Sequence, residues 1–272
     1  MGVLSSAPIA RTDPGPARGK GLFALISDIH SNIEALNAVL EDLEGLGVEE
    51  IVCLGDVIGY GPNPRETLEA VRRCRFCLLG NHEEGLLNLE SAVDFNERAR
   101  RALEWTSAQL LSPDHPKEEN YALWDFIDAF EEERVENDFH FVHASPRQPV
   151  REYVLPADAL DRFKMKDIFE HIQGRVAFGG HTHVPGIFVR GRTFRYQGDL
   201  EGKQTFPEEK CLINIGSVGQ PRDGDNRACY LVVDGDVFFW RRVSYDIATT
   251  MRKIKRIPEL DDFLANRLKG GK

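Results

Sequence analysis

Three features of the chain predict an α/β fold. Short apolar runs alternate with helix-period segments through the first eighty residues, polar residues gather where those runs end, and a second series of short strands follows a helical stretch. The first run is Leu22-Phe23-Ala24-Leu25-Ile26-Ser27, and Ser31 to Leu46 then carries apolar residues at 33, 36, 39, 40 and 43, the spacing of one helical face. Ile51-Val52-Cys53-Leu54, a Gly/Pro-rich turn through Pro64 and the helical Arg65 to Arg73 repeat the unit, and Phe76 to Leu79 begins it again.

From 84 to 135 the pattern is helical, with Ala99, Ala102, Leu103, Leu110 and Leu111 on one face, a break at Ser112-Pro113, and a second helix from Tyr121 to Phe130. This is expected to form an inserted helical layer or outer helices of the same sheet, and to wall the pocket as a lid in the first case. Strands return at Phe139 to His143, Val176 to Phe178, Ile187 to Arg190, Leu212 to Ile215, Tyr230 to Val233 and Val237 to Trp240. Asp234-Gly235 marks a hairpin between the last two.

The chain has 272 residues, of which 42% are hydrophobic and 29% charged, a mix able to bury a core. Residues 1–20 hold four Pro or Gly between Pro14 and Gly19 and lack an apolar core of signal-peptide length, so they are expected to be a flexible N-terminal tail. Residues 21–272 are expected to form a single domain. No apolar run approaches the ~20 residues of a membrane span. Lys and Arg total 34 against 44 Asp and Glu, and the resulting charge of −10 argues against general nucleic-acid binding. Five cysteines, an odd number scattered at 53, 74, 77, 211 and 229, fit a reducing, cytoplasmic setting, and Cys74-Arg75-Phe76-Cys77 has no second pair to complete a zinc site.

Five of the eight histidines, two Asp and one Asn stand at the ends of expected strands: Asp28-Ile29-His30, Gly55-Asp56, Gly80-Asn81-His82, His143 and Gly180-His181-Thr182-His183. A strand fixes the backbone and the loop beyond it aims one or two side chains, so five such points can converge on one pocket. The donor set is oxygen-rich with imidazole nitrogen and no thiolate. It is too large for one tetrahedral ion and suits two borderline divalent metals sharing a carboxylate.

These blocks, with DIHSNIEAL, GDVIGYGP, HASPRQP and NIGSVGQPRDGD, make the sequence similar to the calcineurin-like metallophosphoesterase superfamily, specifically its small prokaryotic branch of phosphodiesterases and phosphatases. The resemblance covers residues 22 to about 245. Val57-Ile58-Gly59-Tyr60 stands where the protein Ser/Thr phosphatases carry an Asp-Arg, which speaks against protein-phosphatase activity. The resemblance implies a four-layer α/β/β/α sandwich of two mixed sheets with metals at the strand ends. It implies one ion held by Asp28, His30, Asp56 and His183, and a second by Asp56, Asn81, His143 and His181. The ions are expected to be Mn, Fe, Zn or Ni.

His82 is left as a non-ligand beside the metals, expected to hydrogen-bond a phosphoryl oxygen or protonate the leaving oxygen, with Glu83 holding the ring and raising its pKa. Arg222 and Arg147 are candidate phosphate grips because a guanidinium binds phosphate in a bidentate manner. His115, His140 and His171 fall outside the blocks and are expected to be structural or solvent-exposed. The expected function is hydrolysis of a small phosphate ester by metal-activated water, diesters before monoesters. Hydrolysis of dinucleotide polyphosphates and a non-catalytic metal-binding scaffold are the alternatives.

Overall fold

The computed structural model describes residues 21–88 and 95–272, so the expected N-terminal tail lies outside the described residues. Two mixed six-stranded sheets face each other. The first contains β1 (Leu22–Ile26), β2 (Glu50–Cys53), β3 (Phe76–Cys77), β9 (Gln204–Thr205), β11 (Ala228–Asp234) and β12 (Val237–Val243), in the order β3-β2-β1-β11-β12-β9. The second contains β4 (Glu133–Glu136), β5 (Phe139–Val142), β6 (Val176–Gly179), β7 (Gly186–Val189), β8 (Arg195–Tyr196) and β10 (Cys211–Asn214), in the order β4-β5-β6-β10-β7-β8.

The period of two along each strand separates the layers. Ala24, Ile26, Ile51, Cys53, Tyr230 and Val232 belong to the apolar cluster that meets helices α1 (Ile33–Gly45), α2 (Pro64–Val71), α4 (Glu97–Leu110) and α5 (Lys117–Asp128). Leu25, Val52, Leu231 and Val233 instead meet Phe141, Val176, Phe178, Ile187 and Ile213 in the cluster between the sheets. On the far side, Ala177, Phe188 and Leu212 pack on Met165, Ile168 and Phe169 of α6 (Arg162–His171). Helices, sheet, sheet and helix make the four-layer sandwich.

Local chemistry sets the element ends. Asn32 caps α1 by accepting from the backbone N–H of Ala35 at 3.1 Å. Pro64 starts α2, where its missing N–H is no loss. The final hairpin turns at Gly235-Asp236, with Asp234 opposite Val237 and Gly235 at a φ of +61°.

Within the segment expected to be helical, α3 (Asn81–Leu87), α4 and α5 are followed by β4. The sequence of β4, Glu-Arg-Val-Glu, has no apolar face because it is an edge strand. Two further helices, α7 (Ile247–Lys255) and α8 (Asp262–Leu268), join α4 through Ala102, Ile254, Leu264 and Leu268. Among the described residues no helix is long and apolar enough to cross a membrane.

Candidate metal centre

The parallel neighbours β1 and β2 remain hydrogen-bonded after their strands end. Asp28 N donates to Gly55 O at 3.0 Å, His30 N to Asp56 O at 3.0 Å and Ser31 N to Val57 O at 2.8 Å. On the other side Gly219 N donates to Asp28 O at 2.9 Å, so the loop after β10 joins the same edge. Bending these loops inward uses strained backbone. Asp28, His30, Ser31, Asp56, Tyr60, His181 and His183 all have φ between 49° and 63°, and Asn137 is the one other non-glycine residue with positive φ among the described residues. Such conformations cost on the order of 1–3 kcal/mol each and persist where the surroundings over-determine them, characteristically at functional sites. The approach is close enough to exclude a side chain at Gly180, where a β-carbon would lie 2.3 Å from Asp28 Oδ2.

Four histidines are held by their outer nitrogens. His30 Nδ1 donates to Ile58 O at 3.1 Å, His143 Nδ1 to Leu54 O at 2.8 Å, His183 Nδ1 to Gln220 O at 2.6 Å and His181 Nε2 to Arg151 O at 3.1 Å. A carbonyl can only accept, so each ring places its proton outward and aims a lone pair inward. The inward atoms meet: His30 Nε2 and His183 Nε2 are 3.2 Å apart, and so are His143 Nε2 and His181 Nδ1. Lone pairs facing each other at that distance repel. It is also about the separation of adjacent donors around one cation bound at ~2.1 Å.

The oxygen donors complete the arrangement. Asp28 Oδ1 is 3.1 Å from His183 Nε2, and Asn81 Oδ1 is 3.3 Å from His143 Nε2. Asp56 Oδ2 stands between the two groups, 3.7 Å from His30 Nε2 and 3.5 Å from His143 Nε2. Three sets of donor atoms lie within 4.8 Å of one another: Asp28, His30 and His183; His30, Asp56 and His82; and Asp56, His143 and His181. All these side chains are buried.

Burial lowers the pKa of all five of these histidines. The neighbouring charges of His82 on His30 and of His143 on His181 reinforce it, as does Arg222 on His82, brought to about 3, and on His183, brought to about 4. Neutral imidazole is the form that binds a metal. Burial and the charges of Glu83 and Asp28 push Asp56 well up, whereas for Asp28 burial, the largest effect, is outweighed by His183, His143 and Ser27 together, which bring the carboxyl down. A cation beside Asp56 would relieve that repulsion, so the donor set fits divalent metal.

The seven expected ligands and His82 therefore converge. His82 sits among His30, Tyr60 and Phe95 with ring centroids 4.8, 4.5 and 5.2 Å away, and its buried Nδ1 has no hydrogen-bond partner. Glu83 departs from its expected part. Its carboxylate accepts from the backbone N–H groups of Asp56, Gly80 and Ile58 at 2.8, 3.0 and 3.1 Å, which pins the Gly55-Asp56 loop rather than the His82 ring. Burial, then the charge of Arg222, lowers the His82 pKa instead of raising it, and a ring neutral near pH 7 suits hydrogen-bond donation to a phosphoryl oxygen better than proton delivery.

Arg147 also departs from expectation, because Glu152 holds it through Nε and Nη2 and Asp167 through Nη1, so each of its nitrogens is engaged by a carboxylate. Arg222 remains available, half-buried with Nε and Nη2 on Gln220 Oε1 and its own backbone N–H on His183 O. His140 is bonded to Glu133 at 2.7 Å, while His115 and His171 are exposed.

Two further residues brace the site and were not singled out from the sequence. Asn214 donates to Gly180 O at 2.6 Å and Ser217 to Asp28 O at 2.8 Å, fixing two of the loops that carry expected ligands. Both lie in the NIGSVGQP stretch, which carries part of the family resemblance without showing which of its residues brace the site. A cavity of about 200 Å³ opens beside Asn81 and His181, with Tyr60, Phe95, Arg151 and Tyr153 among its walls.

Residues 22–236 match the model of the calcineurin-like phosphoesterase superfamily domain. An uncharacterized protein of Methanocaldococcus jannaschii is 42% identical over 252 residues, 88% of this chain and 95% of that protein. Among solved structures, a metallophosphoesterase from Sphaerobacter thermophilus is similar at a TM-score of 0.77 and 32% identity, over 93% of this chain and all of that one (100%). A hypothetical protein from Pyrococcus horikoshii shares the fold at a TM-score of 0.72 and 18% identity, over 92% and 98% of the two chains. The chain thus belongs to the calcineurin-like phosphoesterase superfamily, a family of phosphoric ester hydrolases.

Proposed function

We propose that Asp28, His30, Asp56 and His183 hold one divalent cation, that Asp56, Asn81, His143 and His181 hold a second, and that the centre hydrolyses phosphodiesters in preference to monoesters. The observation that carries this reading is the placement of Asp56 Oδ2 between two groups of inward-facing histidine lone pairs, within 3.7 Å of one and 3.5 Å of the other. The mixed nitrogen and oxygen donors without thiolate suit Mn, Fe, Zn or Ni. Bound there, the cations supply Lewis acidity toward water and positive charge toward the phosphoryl oxygens.

The chain's own residues supply orientation. His82, neutral and buried, donates a hydrogen bond to a phosphoryl oxygen, and its place in one donor group with His30 and Asp56 supports that role. Arg222, beside His183, meets the phosphate charge. The buried free cysteines fit a reducing, cytoplasmic setting.

The reading is tested by initial rates on bis-p-nitrophenyl phosphate and p-nitrophenyl phosphate in Mn²⁺. The diester is expected to have the higher kcat/KM. A monoester value above the diester value by about tenfold would overturn the diester preference, and no turnover of either would overturn phosphoester hydrolysis.

A further inference from the structure

We propose that the cavity beside Asn81 and His181 receives a planar aromatic ring carried by the substrate's phosphate, held among the rings of Tyr60, Phe95 and Tyr153. This rests on the reading of the centre as a phosphodiesterase and names the kind of ester it selects.

The three rings come from separate parts of the chain, and each is seated on an imidazole of the centre. Tyr60, in the loop after β2, has its centroid 4.8 Å from that of His30 and 4.5 Å from that of His82. Phe95, just before α4, stacks on His82 at 5.2 Å, and a β-carbon at Gly85 of α3 would lie 2.7 Å from its ring, so Phe95 is packed tightly onto that helix. Tyr153 lies over His181 with centroids 3.9 Å apart and 33° between the planes. That contact covers one face of Tyr153, yet the residue stays 48% exposed and walls the cavity. About 200 Å³ opens among the three rings, with the small side chain of Ala99 on the α4 side.

The walls decide what fits. The volume falls short of the ~300–1,000 Å³ of sites that enclose a whole drug-sized ligand, so it takes one group of a substrate. Because Asn81 and His181 are proposed ligands of the centre and also line the cavity, that group is one attached to a phosphate held there. Arg151 is the charged side chain among the walls, and its Nε donates to Glu84 Oε2 at 2.5 Å, so its charge is matched within the protein. Walls of this kind favour an uncharged group over a further phosphate. Aromatic pairs gain from offset or edge-to-face geometry beyond the area they bury, and a flat ring reaches that geometry where a saturated one does not. Aryl esters and nucleotides share this chemistry.

The test uses the metal-bearing protein and calorimetry. Phenylphosphonate is expected to bind about tenfold more tightly than methylphosphonate or the puckered cyclohexylphosphonate, a factor within what stacking on aromatic side chains supplies. Comparing thymidine 5′-monophosphate with 2-deoxyribose 5-phosphate sets the ring beyond a sugar. A gain in the first comparison alone assigns an aryl ester, and a gain in the second a nucleotide. Tyr153→Leu removes one wall and Ala99→Leu fills the space, so each should abolish the advantage of the ring, whereas Tyr153→Phe should keep it. The advantage is read as a ratio of affinities within each variant, so a change at the centre cancels. No advantage in either comparison, or one that survives either leucine variant, would overturn the proposal. If bis-p-nitrophenyl phosphate is hydrolysed and no advantage is found, the cavity assignment fails and the phosphodiesterase reading stands. If it is not hydrolysed while the advantage holds and follows Tyr153 and Ala99, the cavity assignment stands and the hydrolytic reading fails.

Discussion

Gly59 lies so close beneath the ring of His82 that a β-carbon there would stand 2.1 Å from Nδ1, and the Gly59 backbone has a φ of +88°. Absence of a side chain and left-handed backbone are thus both required at one position. Gly59→Ala is expected to cost roughly 1–3 kcal/mol through overpacking and strain. It should also displace the His82 ring and lower diester turnover while the metal content stays at the wild-type level. Thermal unfolding with elemental analysis checks this, and an unchanged melting temperature together with unchanged turnover would contradict it.

His82→Ala should retain both cations and lose turnover by about 10²-fold or more, the worth of a preorganised donor at developing charge. The ring packs on Tyr60 and Phe95 but completes neither proposed coordination sphere. Metal analysis separates the possibilities, because loss of one metal equivalent in this variant would make His82 a ligand.

Glu83 acts through backbone. Glu83→Gln replaces one acceptor oxygen by a donor facing the N–H groups of Asp56, Gly80 or Ile58, so an expected loss of about 1–3 kcal/mol follows from a buried unsatisfied group. The loosened Gly55-Asp56 loop should weaken metal affinity as well. Urea denaturation and metal titration measure the two effects, and wild-type values for both would show that the clamp is dispensable.

Away from the site, Asp42 of α1 ties two strands to the helix layer, accepting from Tyr230 of β11 at 2.5 Å and from Arg241 of β12 at 2.6 Å. The Arg241 hydrogen bond, against the opposing effect of burial, holds the Asp42 carboxyl below its ordinary 3.8. A carboxylate depressed in the folded state contributes stability above its unfolded pKa and loses it as pH falls through the folded value. The stability gap between wild type and Asp42→Asn should therefore be about 1 kcal/mol at pH 7 and shrink progressively below pH ~4. Urea denaturation across that range checks the sign, and a gap that widens on acidification would contradict it.

Much of this was legible in the sequence because it depends on local chemistry. The short apolar run from Leu22 to Ile26, the helical spacing from Ile33 to Leu43 and the Gly235 turn are all fixed by neighbours in the chain. The convergence of the proposed ligands was legible because each follows a strand, and a strand end constrains direction. What was hidden depends on contacts across long sequence distances. Arg147 looked like a phosphate grip until Asp167, twenty residues away, took Nη1. Glu83 looked like a partner for its neighbour His82, yet helix α3 turns the carboxylate toward Asp56, twenty-seven residues back. The edge strand β4 was hidden because a strand without a buried face has no alternation to read.

The central claim is that two cations share Asp56, and metal stoichiometry of Asp56→Asn tests it most directly. Elemental analysis of the purified wild type should give two divalent metal equivalents per chain. Because Asp56 Oδ2 faces both histidine groups, its conversion to a neutral amide should empty or disorder both positions together. Two full equivalents in Asp56→Asn, or the loss of one with the other bound at wild-type affinity, would contradict the shared carboxylate.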